Sequence, residues 1–147
     1  MTALFEHSPW IEARADARPS SGDRWADLMA VVDSASGEEQ LALIRAHPEL
    51  AGKAAIDRTL TEASAAEQAS AGLDRLTPEE YARFLDLNTA YRDRFGFPFI
   101  ICVRLTDKAG ILAAMEQRLS HNRDTEITTA LEQIGEIVRL RLKDMTA

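Results

Sequence analysis

The chain has 147 residues, 46% of them hydrophobic and 28% charged, enough to bury the core of one domain over 1–147 without covalent staples. A net charge of −7 and a pI near 5.0 speak against a nucleic-acid partner, which would need a basic face to neutralise phosphates. One cysteine, Cys102, excludes an internal disulfide or a multi-cysteine zinc site, and no apolar run approaches the roughly 20 residues that span a bilayer.

"MTALFEHSPW" lacks the basic-then-apolar layout of a secretory signal, so a cytoplasmic protein with no membrane partner is expected. The chain then reads as helices joined by short breaks. "PWIEARADARPSSG" opens with Pro9, suited to a first helical position, and runs into a Pro/Ser/Gly break. "DRWADLMAVVDSA" puts Trp25, Leu28, Met29 and Val32 on one face. "SGEEQLALIRAH" follows, with Ser36 as N-cap and Glu39 three residues on as its capping-box partner.

That helix must stop near His47, because the residue before Pro48 is pushed out of the helical region. The imidazole then sits at the negative end of a helix dipole, which favours its charged form. It is either a C-capping histidine or a proton donor at the rim of the core. In "SAAEQ", Ser64 with Glu67 matches a capping box, so a helix start is expected there, with N–H groups that attract anions. Glu67 is also placed to orient a nearby histidine.

"TPEEYARFLDLNTAYRDRFG" is the longest segment so far, with Thr77 as cap, Pro78 at the first position, Glu80 closing a capping box and Gly96 as terminator. Its buried face should be Tyr81, Phe84, Leu85, Tyr91 and Phe95. Asn88 lies among them, as a structural hydrogen-bond anchor or a pocket residue. "FPFIICVR", residues 97–104, breaks the helical rhythm: apolar, β-branched and proline-bearing, it should be extended and buried, with no second strand to pair with.

"KAGILAAMEQRLSH" and "TEITTALEQIGEIVRLRLKDM" are two more amphipathic helices, completing an all-α single-domain bundle with one short extended segment. On the last helix Ile127, Leu131, Ile134 and Val138 form a stripe that Arg141 continues, whereas Arg139 points away. An arginine on a buried face needs an anion, for which its planar fork suits a carboxylate; otherwise it snorkels to water. His7, His47 and His121 are scattered, and no phosphate loop, metal-type histidine pair or nucleophile triad is present, so neither metal nor cofactor is expected.

"LIRAHPELAG", "SAAEQASAGL" and "LNTAYRDRFGFPFIICVR" resemble the 2-oxo-4-hydroxy-4-carboxy-5-ureidoimidazoline (OHCU) decarboxylases of urate breakdown, over nearly the whole chain and in order. The resemblance implies an all-α homodimer that removes CO2 from OHCU to give (S)-allantoin. It also implies a catalytic His47, an acidic partner Glu67 and a carboxylate-facing Arg141. Implied substrate contacts are Pro48, the run Ser64, Ala65, Ala66, Glu67 and Gln68, and the run Phe99, Ile100, Ile101, Cys102 and Val103, with Asn88 supporting the pocket. "ARPSSG" departs from the Arg-Pro-Phe usual in such proteins. A non-catalytic helical interaction module, or an enzyme acting on a different ureido compound, are the alternatives.

Overall fold

The computed structural model describes residues 4, 5, 7–51 and 61–146, with the side chain of residue 146 left aside. Among these it contains seven α-helices and no strand: α1 Trp10–Asp16, α2 Arg24–Ser34, α3 Gly37–Arg45, α4 Glu62–Ser70, α5 Pro78–Phe95, α6 Lys108–Arg118 and α7 Arg123–Thr146. The all-α reading therefore holds.

Local chemistry fixes most of the helix ends. Ser36 and Thr77 cap α3 and α5 through complete capping boxes with Glu39 and Glu80. Asp23 and Asp107 accept the first free N–H groups of α2 and α6. Pro78 takes the first turn of α5, and Gly96 ends that helix at φ 81°, a left-handed conformation that glycine adopts without penalty. Pro9 precedes α1 rather than opening it.

α7 is the spine. It packs against α2 and α3, while α1 lies on α2, α5 pairs with α6, and α4 rests on a 3-10 turn at Val103–Leu105. Leu28, Val31, Val32, Leu43, Ile44, Phe84, Ile111, Met115, Ile134 and Val138 fill the centre. Each such burial is worth roughly 1.5–3 kcal/mol relative to an exposed side chain. Trp25 and Met29 are half-buried where α2 crosses α7: a Cβ on Gly135 would stand 3.0 Å from Met29 Cε, and Trp25 Nε1 donates to Gly135 O at 2.8 Å. Helices approach so closely there because Gly135 has no side chain.

The buried face of α5 differs from expectation at three positions, Tyr81, Leu85 and Leu87. Phe84, Leu87, Asn88, Tyr91 and Phe95 are buried, but Leu85 is 51% exposed. At about 100° per residue, Phe84, Asn88, Tyr91 and Phe95 fall within roughly 60° of one another, whereas Leu85 lies about 90° from their centre. Tyr81, on the edge of that stripe, is only half-buried.

Phe97 lies in a bend, residues 98–102 run without helix or strand with Cys102 in the extended region, and 103–105 tighten into the 3-10 turn, so the extended reading fails at Val103 and Arg104. Aromatic packing anchors the segment. Tyr91 meets Phe99 edge-on at 5.3 Å and Phe95 at 4.6 Å, and Phe97 stacks on Phe95 at 6.0 Å.

Candidate active site

α3 ends at Arg45, two residues before the histidine, as the proline requires: Ala46 is the C-cap and His47 N–H bonds back to Ile44 O at 3.2 Å. The His47 ring is 7% exposed, and its Nδ1 lies 3.0 Å from Leu43 O. A carbonyl can only accept, so Nδ1 carries a proton in that bond and Nε2 is the nitrogen whose protonation changes. The capping role is thus real, and it fixes the ring.

Arg141 does not snorkel. It is 2% exposed, and its fork closes on Glu67, with Nε–Oε2 at 2.9 Å and Nη2–Oε1 at 2.7 Å. Nη1 donates to Leu4 O at 3.3 Å, and Nη2 is 3.4 Å from Ser64 Oγ. The anion that a buried arginine needs is therefore supplied by the chain itself.

Glu67, the acidic partner implied for the histidine, makes its side-chain hydrogen bonds to Arg141 and none to His47 among the described residues. Each of its oxygens accepts one bond from Arg141, which leaves a lone pair on each for a ligand, while His47 Nδ1 meets Leu43 O. The helix start expected at Ser64 is also displaced. α4 begins at Glu62, with Thr61 as N-cap accepting from Ser64 N–H at 3.2 Å. Ser64, Glu67 and Gln68 thus form an inward face of an established helix and not a ring of free N–H groups. Thr61 followed by an acidic first turn was the signal for that start.

His47, Pro48, Ser64, Glu67, Gln68, Arg141 and the five residues 99–103 border one cavity of about 440 Å³, its open mouth included. Ala65 and Ala66 do not. Both are exposed, because one helix face presents only every third or fourth residue. Ala66 borders a second depression with Arg104 and Asp144, which Glu67 and Arg141 also border. Leu50, Arg104 and Ile137 line the cavity without having been expected there; Arg104 carries no spacing signal, lying just past the apolar run.

Asn88 lies behind the cavity wall, 4% exposed, donating from Nδ2 to Leu50 O at 2.8 Å. Gln68 fastens the same loop, its Oε1 accepting from Ala51 N–H at 3.1 Å. Ala51 has φ 52°, a left-handed turn for a residue with a side chain, and this bond helps hold it.

Electrostatics separate the rim from the interior. Arg104 makes two bonds to Asp144, at 2.7 and 3.1 Å, and that hydrogen bonding holds the Asp144 carboxyl below its usual range. Burial pushes the Cys102 thiol up, keeping it protonated at neutral pH. Among the described residues no cluster of three His, Cys, Asp or Glu could hold a metal, and no helix is long and apolar enough to cross a membrane.

Comparison with known proteins agrees along nearly the whole chain. A family model described as OHCU decarboxylase matches residues 1–143. The chain is 47% identical over 145 residues to a 2-oxo-4-hydroxy-4-carboxy-5-ureidoimidazoline decarboxylase of Haloferax volcanii, covering 96% of this chain and 83% of that one. It is 43% identical to a uric acid degradation bifunctional protein of Bacillus subtilis, covering 97% of this chain and 29% of that larger one. A crystal structure of (S)-allantoin synthase superposes with TM-score 0.70 at 32% identity, over 97% of this chain and 46% of that one. An OHCU decarboxylase solved in the presence of (S)-allantoin shares the fold, with TM-score 0.76 at 19% identity over 95% and 92% of the two chains.

Proposed function

The chain belongs to the OHCU decarboxylase family, and from that premise we infer that it removes CO2 from 2-oxo-4-hydroxy-4-carboxy-5-ureidoimidazoline to give (S)-allantoin in urate degradation. The observation that carries this reading is the shared cavity: His47, Glu67 and Arg141, far apart in sequence, border one space with Pro48, Ser64, Gln68 and residues 99–103.

The chemistry suits such a site. Breaking the bond to the carboxylate carbon leaves an electron pair, which OHCU accepts into its own adjoining ring C=N. One proton must then be delivered to complete allantoin. We assign the enzyme to the carboxy-lyases acting without a cofactor, since the substrate supplies the sink for which other decarboxylases use one. The protein's tasks are to hold the carboxylate out of the ring plane, to stabilise the developing charge and to exchange a proton.

His47 is assigned as the general acid or base, working through Nε2 while Leu43 O holds Nδ1. Glu67 is assigned as an acceptor for ureido or ring N–H groups, its direction set by the Arg141 fork. Pro48, Ser64, Gln68 and the main chain of residues 99–103 complete the contact surface, and Asn88 supports it. We further read the protein as a cytoplasmic homodimer forming one domain over 1–147; the buried free thiol of Cys102 accords with a reducing compartment.

The test generates OHCU in situ from urate with the two upstream enzymes and follows circular dichroism. Fast appearance of optically active allantoin is expected. Slow racemic product, with OHCU decaying at its spontaneous rate, rejects the reading and leaves a different ureido substrate or a binding role.

A further inference from the structure

Two side chains grip the extended segment on either side of Ile101. Arg118 of α6 donates from Nη1 to Ile100 O at 2.7 Å, and Gln133 of α7 accepts at Oε1 from Cys102 N–H at 2.9 Å. No described peptide bond is cis. In a trans peptide the C=O and N–H point in opposite directions. The N–H of Ile101 therefore faces away from Arg118, and the C=O of Ile101 faces away from Gln133. In extended chain these two groups of one residue share an edge. Neither has a hydrogen-bond partner among the described residues, and Ile101 borders the cavity.

We propose that Arg118 and Gln133 are positioning residues that present the Ile101 N–H and C=O to the cavity as a donor–acceptor pair for an amide or ureido group of the substrate. They stand where a neighbouring strand would, satisfying one edge of the segment and leaving the other for the ligand. A cyclic ureide suits that edge, because its ring amide is cis and carries N–H and C=O side by side.

The grip is itself held. Arg118 Nε donates to Glu126 Oε1 at 2.8 Å, and its guanidinium lies 4.3 Å from the centre of the Phe99 ring. Glu126, fully buried, also takes the Tyr91 hydroxyl at 2.5 Å and His121 Nδ1 at 2.8 Å. A network with this many bonds to one carboxylate resists rotation of Arg118. Gln133 has no such tether among the described residues, so it is the better position to test.

The substrate identity here rests on the decarboxylase reading; the grip itself does not. The experiment compares Gln133→Leu, which removes the acceptor, with Gln133→Glu, which keeps an acceptor oxygen. Steady-state kinetics on freshly made OHCU should show KM raised about fivefold or more in Gln133→Leu with kcat within about twofold, since main-chain contacts bind ground and transition states alike. Gln133→Glu should recover most of the loss. Amide hydrogen exchange with allantoin as probe gives the independent readout. In the wild-type chain Cys102 should be protected and Ile101 become protected only with allantoin; in Gln133→Leu both protections should fall.

Unchanged KM in Gln133→Leu, or Ile101 exchange indifferent to allantoin, overturns the proposal. A wild-type chain that leaves OHCU untouched rejects the decarboxylase reading instead. In that case Cys102 exchange in the two free proteins still reports whether Gln133 holds the segment, equal protection in both overturning the grip.

Discussion

Glu67 and Arg141, 74 positions apart, meet through two near-parallel hydrogen bonds of 2.7 and 2.9 Å inside the protein. The glutamate closes the fork of an arginine, and both border the cavity that His47 also borders. Each member of the pair is tenable in the interior only because the other is there. Removing one leaves an uncompensated charge, at a cost of about 3–5 kcal/mol.

Arg141→Met should therefore lower stability by that order, seen as a shift in the urea midpoint. Arg141→Lys keeps the charge but cannot reproduce the fork. It should fold with a smaller loss of stability and show a lowered kcat or raised KM, because the direction of Glu67 is no longer set. Wild-type kinetics in Arg141→Lys would show that the fork matters for stability alone.

His47→Ala should lose about 10²-fold or more in turnover, a typical general acid–base contribution. The bond to Leu43 O is also lost, costing about 1 kcal/mol of stability. The two effects are separable by assay and by thermal melting. Near-normal turnover would leave His47 with its capping role only.

Asn88→Ala should cost about 1–3 kcal/mol, because it strands the buried carbonyl of Leu50 that the amide now satisfies. Leu50 borders the cavity, so a modest rise in KM should accompany the loss. A full-strength melting transition in this variant would mean that the loop is held elsewhere.

The register of α5 is open to a paired test. Leu85→Lys should change stability by no more than about 0.5 kcal/mol, since the side chain faces water. Leu87→Ala should cost about 2–4 kcal/mol, because Leu87 is buried. The reverse ranking would place the helix one residue round.

Stability should fall at alkaline pH. Burial raises the Cys102 thiol above its ordinary 9.0, and burial followed by the Glu126 hydrogen bond raises the Tyr91 hydroxyl above its ordinary 10.0. In both cases the folded state holds the proton more tightly than the unfolded chain. Their contribution is thus intact below about pH 9 and is lost as pH rises beyond the unfolded values. Denaturation midpoints measured between pH 7 and pH 11 should decline over that span, and less steeply in Cys102→Ala.

Helix ends were legible wherever a side chain binds its own backbone nearby: Ser36 with Glu39, Thr77 with Glu80, Gly96. Such contacts are local and need no knowledge of the fold. Arg141 was legible as a buried cation through helical periodicity, and an anion does sit in its fork. The identity of that anion was not, since Glu67 could serve a histidine or an arginine until the chain is folded. Ser64 misled because Thr61, three residues earlier, offers the same cap. Ala65 and Ala66 were carried along with their neighbours in a contiguous run, although a helix turns two of every four residues outward. The grip of Arg118 and Gln133 left no sequence trace, because it depends on where α6 and α7 place single side chains against main chain.

The bond between His47 Nδ1 and Leu43 O also limits what the ring can do. Flipping the imidazole by half a turn would replace that nitrogen with carbon and abandon the carbonyl, so the same edge meets every ligand that enters. A protein that must return one mirror image of its product needs an approach that does not alternate. Under the role proposed for His47, that constancy would be set by the last turn of a nine-residue helix, and the handedness of the chain itself would be passed on to the small molecule.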